Sequence, residues 1–117
     1  MRRVIISGGG TGGHIYPAIT IARAIADIEP TEFLYVGSKI GLENTLIPNE
    51  GIPFVTIDIR GLERKISFRN LVTLGKTAGS LIKAEHIIHK FKPDVVIGTG
   101  GFVCGPVLLA ASLSGIP

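Results

Sequence analysis

The sequence predicts an α/β domain of Rossmann-like design, a parallel sheet with helices on both faces. Three observations carry that expectation. Apolar runs of five to seven residues alternate with helix-periodic segments along all 117 residues, the order that builds parallel strands joined by helical crossovers. Two of these runs end in the same tetrapeptide, Gly-Thr-Gly-Gly, at Gly10–Gly13 and Gly98–Gly101, and a proline follows each within a few residues. Finally, 45% hydrophobic and 18% charged residues describe a soluble globular chain, and 117 residues suffice to bury one core, so residues 1–117 read as a single domain.

The elements follow in order. "RVIIS" is a short apolar run closed by glycine, a buried strand. Pro17 suits a first helical turn, and Ile21, Ala24, Ile25 and Ile28 recur at helical spacing behind it. "EFLYVG" is the second strand, "GLENTLIPNEG" a short helix or turn, and "PFVTIDI" the third strand. "RGLERKIS" is a polar connection into the longest helix, about Phe68 to Phe91, which Pro93 closes. "DVVIG" is the fourth strand, and "GPVLLAASLSG" a buried helix ending at Gly115. Gly51-Ile52-Pro53 leads into a strand, and the matching Gly115-Ile116-Pro117 falls where a fifth strand would begin.

Bulk features exclude several classes. One cysteine rules out an internal disulfide framework and suits a reducing cytosol. "MRRVIIS" starts like a signal peptide, but its apolar run stops at Ser7. The 23 residues from Val95 to Pro117 carry no charge, yet glycines and a proline interrupt them, and a strand, a loop and a helix explain them better than a membrane span. The net charge of +3 hides an asymmetry: residues 60–92 hold eight of the twelve Lys/Arg against Glu63 and Glu85, a segment of +6.

Gly8-x-Gly10-x-x-Gly13 matches a dinucleotide fingerprint, which expects an acidic residue about 20 residues on to hold the ribose hydroxyls. That place reads Gly37-Ser38-Lys39. NAD is disfavoured, and NADP stays open with Ser38 and Lys39 on a 2′-phosphate. A Walker A loop is excluded, because His14 and Ile15 follow Gly13 where Lys-Ser/Thr is required; Gly75-Lys76-Thr77 is a decoy inside a helix. Both Gly-Thr-Gly-Gly loops fall at the carboxyl edge of the sheet, where two helix N-termini would face one crevice suited to anionic groups. His14 stands there as the obvious titratable group, placed for a general base or a phosphate or hydroxyl donor. Cys104 reads as a small packing residue, and His86 and His89 as a solvated helix face rather than a metal site. Arg69, Lys76, Lys83 and Lys90 fall seven apart in one stripe, and Arg64, Lys65 and Arg69 interleave with Ile66, Phe68 and Leu71. That pattern fits either a solvated face or contact with an anionic membrane surface; it offers no stacking platform for nucleic acid.

"GGTGGHIYPA" (Gly9 to Ala18) with "GTGGFVCGP" (Gly98 to Pro106) resembles the MurG family of bacterial N-acetylglucosaminyltransferases, in order and spacing over the whole chain. The resemblance implies the N-terminal half of a GT-B glycosyltransferase, with the domain that holds the sugar nucleotide and a His-Glu-Gln-Asn motif lying beyond Pro117. The implied reaction belongs to peptidoglycan synthesis and needs no metal or cofactor: GlcNAc moves from UDP-GlcNAc to the C4 hydroxyl of undecaprenyl-pyrophosphoryl-MurNAc-pentapeptide, with inversion. This domain would handle the lipid-linked acceptor peripherally at the cytoplasmic side of the membrane, and alone it should not catalyse transfer. By the same resemblance Thr11, Gly12, Gly13, His14, Gly100, Gly101 and Phe102 would meet the acceptor, with His14 as base or orienting group. Arg64, Lys65, Ile66, Phe68, Arg69 and Lys76 would meet the membrane. Phe102 and Cys104 stand where the family commonly shows Tyr and Ser. The alternatives are a membrane-recruiting subunit of a split glycosyltransferase and, in another class, an NADP-binding domain.

Overall fold

A computed structural model describes residues 1–10, 12–39, 41–58, 71–101 and 103–117, with the side chains of 71–78 excepted. In chain order the elements are β1 (Arg2–Gly8), α1 (Gly12–Ile28), β2 (Thr31–Ser38), α2 (Glu43–Asn49), β3 (Phe54–Ile57), α3 (Leu71–Phe91), β4 (Val95–Gly100) and α4 (Cys104–Leu113). Among the described residues every strand pairing is parallel, in the order β3-β2-β1-β4. The chain thus builds outward from β1 on one side, then returns to place β4 on the other. That reversal between β1 and β4 is the topological switch point, where the carboxyl ends of neighbouring strands open a crevice.

Both faces of the sheet are covered, as the apolar runs predict. Strand side chains alternate in direction, so Val4 and Ile6 of β1 point to one face and Ile5 to the other. The first face packs with Ile15, Ala18, Ile19 and Ala22 of α1 and Ile47 of α2. The second packs with Ala84 and Ile88 of α3 and with Val107, Ala110 and Ala111 of α4. At its amino end the sheet is tied to α3: Arg3 lies over the Phe91 ring, 5.4 Å from its centroid, and its guanidinium donates to the Phe91 carbonyl at 2.7 Å. A cation there complements the negative end of the helix dipole.

Three expectations need correction. Pro17 does not open its helix; α1 begins at Gly12, and Pro17 is exposed in the second turn. A helix tolerates proline best where its amide has no duty, and here the missing amide is the one that would serve the Gly13 carbonyl. Nor is α4 buried all round. Cys104, Pro106, Val107, Ala110 and Ala111 are covered, but Leu108, Leu109 and Leu113 are exposed at 41%, 50% and 64%. Last, the two Gly-Thr-Gly-Gly stretches are not equivalent. In the first, Gly12 and Gly13 are already helical, whereas Gly98, Thr99 and Gly100 are still strand. The start of the long helix before Leu71 and the end of the third-strand segment at Ile59 lie outside the described residues. The uncharged stretch from Val95 resolves into β4 and α4, and among the described residues no helix is long and apolar enough to cross a membrane.

Candidate active site at the switch point

The site begins with a slip in register. Ser7 pairs with Gly98, but Gly8 pairs with Gly100, so Thr99 is an extra residue in β4. Such a bulge re-aims the residue it isolates. Thr99 turns toward the first turn of α1, where its Oγ1 donates to the His14 carbonyl at 2.6 Å. The contact is reciprocal, since His14 Nδ1 lies 3.2 Å from the Thr99 carbonyl oxygen. A carbonyl only accepts, so this bond assigns the proton to Nδ1. In the neutral ring Nε2 then keeps its lone pair, and among the described residues it has no partner. His14 is half-buried and braced through Nδ1, and Nε2 is the nitrogen that could take a proton.

The glycines make that bracing possible. Gly100 has φ +123°, a conformation L side chains rarely adopt, and a Cβ there would collide with His14 Nδ1. A Cβ on Gly8 would collide with Thr99 Oγ1. The two loops also bond to each other, the Gly9 amide donating to the Gly100 carbonyl at 3.2 Å. The Gly8 carbonyl accepts from the buried Tyr35 hydroxyl at 2.6 Å. Burial, then the neighbouring Glu43 carboxylate and Cys104, push the Tyr35 phenol well above its usual pKa, so it remains a donor.

Several predicted ligand donors are therefore already in use. The Gly9 amide serves Gly100, the Gly10 amide donates to Glu43 Oε2 at 2.9 Å, and the Gly100 amide lies 3.3 Å from Cys104 Sγ. Gly12, Gly13 and His14 remain, within the first helical turn whose amides have no intrahelical acceptor. Gly101 stands opposite at the mouth of α4, exposed and with φ +93°. Thr11, Phe102, Arg64, Lys65, Ile66, Phe68 and Arg69 lie outside the described residues, as does the side chain of Lys76, whose backbone belongs to α3.

Cys104 acts as the packing residue its sequence context predicts. Its thiol is buried and donates to the Ser7 carbonyl at 2.8 Å, holding β1 to the start of α4. His86 and His89 are exposed on α3, and among the described residues no three His, Cys, Asp or Glu side chains gather into a metal-binding group.

Sequence reasoning missed Glu43 and Thr99. Glu43 is completely buried, with Oε2 on the Gly10 amide and Oε1 accepting from the Ser38 hydroxyl at 2.5 Å. Ser38 is thus committed inward and is not presented to a 2′-phosphate. The repeat of Gly-Thr-Gly-Gly was a usable signal for Thr99, the one side chain in the second copy. For Glu43 no signal existed, because its partner Gly10 is 33 residues away.

Comparison with known proteins identifies the family. Residues 4–117 match the model of the glycosyltransferase family 28 N-terminal domain. The chain is 52% identical over 116 residues to the UDP-N-acetylglucosamine–N-acetylmuramyl-(pentapeptide) pyrophosphoryl-undecaprenol N-acetylglucosamine transferase of Bacillus cytotoxicus, covering 98% of this chain and 32% of that protein. Identity to the transferase of the same name from a Thermoanaerobacter species is 53% with the same coverage. Among solved structures, Acinetobacter baumannii MurG superposes with a TM-score of 0.84 at 33% identity, over 100% of this chain and 34% of that one. The chain therefore spans about a third of the length of the curated relatives it matches.

Proposed function

Because the chain belongs to the glycosyltransferase family 28 N-terminal domain family, we propose that it is the acceptor-binding part of an inverting N-acetylglucosaminyltransferase of peptidoglycan synthesis. The donor is UDP-GlcNAc, held by a further domain of the kind its longer relatives have room for. The acceptor is undecaprenyl-pyrophosphoryl-MurNAc-pentapeptide. The observation that supports the reading is the braced His14, with Nδ1–H on the Thr99 carbonyl at the switch point and Nε2 without a hydrogen-bond partner among the described residues.

In this reading the acceptor's pyrophosphate lies against the first turn of α1, where the amides of Gly12 and Gly13 and the helix dipole favour an anion. The acceptor's C4 hydroxyl then comes within reach of His14. Nε2 takes its proton as the oxygen attacks the anomeric carbon of GlcNAc, and UDP leaves from the opposite face with the bonding pair. Thr99 and Gly100 contribute by fixing the ring's tautomer and orientation, which is what a general base requires before its pKa matters. A peripheral station at the cytoplasmic side of the membrane belongs to the same proposal, supported by the basic, apolar-tipped segment that precedes α3.

An NMR titration of the isotope-labelled chain tests the binding part. A short-chain, pyrophosphate-linked MurNAc-peptide should shift the amides of Gly12, Gly13 and Gly101 and the His14 ring, while UDP-GlcNAc should leave them in place. Shifts from UDP-GlcNAc alone would remove the acceptor assignment. For catalysis, the chain is joined to the remaining part of the Bacillus cytotoxicus relative. His14→Ala should then cut turnover about 10²–10⁴-fold with little change in acceptor KM. A loss smaller than about tenfold would show that His14 is not the base.

A further inference from the structure

We propose that Glu43 is a specificity-determining residue, whose buried carboxylate occupies the nucleotide side of the crevice and keeps ribose-pyrophosphate ligands off the Gly9–Gly10 end of the first glycine loop. Dinucleotide-binding Rossmann domains use two features of this region. Amides of the loop after the first strand hold the pyrophosphate, and the end of the second strand holds the ribose. In this protein one internal side chain engages both places. Glu43 Oε2 accepts from the Gly10 amide at 2.9 Å, and Oε1 accepts from Ser38, the last residue of β2, at 2.5 Å.

The fit around the carboxylate is close, and three glycines make it so. A Cβ on Gly9 would stand 2.9 Å from Glu43 Oε2, one on Gly37 would stand 2.7 Å from Glu43 Cγ, and one on Gly41 would collide with Oε1. The loop that resembles a nucleotide fingerprint thus packs, through Gly9 and the Gly10 amide, against a protein carboxylate that is 0% exposed. A phosphate approaching the Gly10 amide would find that donor already bonded to Glu43 Oε2. Asn44 closes the same corner, its Nδ2 donating to the Ser38 carbonyl at 2.9 Å and to the Gly41 carbonyl at 3.2 Å. On the other side of β1 lie His14, Thr99 and Gly100, all partly exposed. In this proposal the crevice is one-sided, and ligands are left the side over β1 and β4. This inference does not depend on the identity of the acceptor.

The test titrates NADPH and inorganic pyrophosphate separately into the labelled wild-type chain and into the variants Glu43→Gln and Glu43→Ala. In the wild type, the amides of Gly9, Gly10 and Gly37 should stay in place, and shifts confined to Gly12 and Gly13 are consistent with that. Either variant, with a dispersed spectrum to show that it is folded, should gain saturable shifts at those three amides, at concentrations at least about tenfold lower than any seen in the wild type. Acquired binding is a readout that mere loosening of the fold would not produce. Wild-type binding through Gly10 as tight as in the variants would overturn the proposal, and so would folded variants that gain nothing. If neither variant folds, the wild-type titration decides: a Gly10 amide moved by either probe sinks the proposal, and an unmoved one supports it.

Discussion

Tyr35 reaches across an apolar sheet face with a single polar atom, and that atom ends 2.6 Å from the Gly8 carbonyl at the tip of β1. Its ring also lies 6.0 Å from the Phe54 ring, centroid to centroid. Tyr35→Phe keeps the ring and strands the carbonyl, which should cost about 1–2 kcal/mol in urea denaturation. The same residue sets a pH dependence. Burial first, then Glu43 and Cys104, hold its pKa above the usual 10.0, so the folded chain retains this proton to higher pH than the unfolded chain does. Its contribution is complete below about pH 10 and declines as pH rises beyond it. Comparing the alkaline fall in stability of wild type and Tyr35→Phe isolates the effect: the variant should fall less steeply above that pH. Parallel curves would mean that the buried hydroxyl does not govern this range.

At the scale of elements, Pro17 is the feature that sequence reasoning misplaced, and it makes a measurable claim. It is the sixth residue of α1 and has no amide to give to Gly13. Pro17→Ala restores that bond and a better helix former, against the entropy that proline removes from the unfolded chain. The expected net gain is about 1–2 kcal/mol, seen as a higher denaturation midpoint at unchanged slope. An unchanged midpoint would mean that proline's fixed φ supports the first turn as much as the amide would.

The strands were legible because a buried parallel strand must be apolar on both faces, and "RVIIS" and "DVVIG" admit few other readings. The helix start was not legible, since Gly12 and Gly13 are poor helix formers by propensity and are held helical by the site around them. His14 could be singled out from its neighbours in sequence. Its brace could not, because Thr99 is 85 residues away and the bulge that aims it is a property of two strands together. The glycines were recognisable as a cradle, but what they enclose on one side is Glu43, which only the packing of α2 reveals.

At the scale of the whole molecule, the chain's charge is divided as its fold is. Ala84 and Ile88 of α3 turn inward to the core with Ser80, and Lys83, His86 and Lys90 lie exposed on the same helix with Ile82, which is 68% exposed. The basic excess of residues 60–92 is thus continued, over the described part of α3, on a solvated face that includes an apolar residue. If this excess docks the domain on an anionic membrane, two terms should separate experimentally. The electrostatic term, about 1 kcal/mol for each basic residue near the surface, weakens as salt shortens the screening length from about 10 Å at 0.1 M to about 3 Å at 1 M. The insertion of apolar tips does not weaken with salt in this way. The chain should therefore co-sediment with vesicles containing phosphatidylglycerol, much less with vesicles of phosphatidylcholine alone, and should release progressively as salt rises. Replacing Arg64, Lys65 and Arg69 by Gln should lower partitioning about a hundredfold at low salt. Replacing Ile66 and Phe68 by Ser should instead remove the fraction retained at high salt. Equal binding to both kinds of vesicle, or no response to the Gln substitutions, would assign the basic stripe to a solvated face.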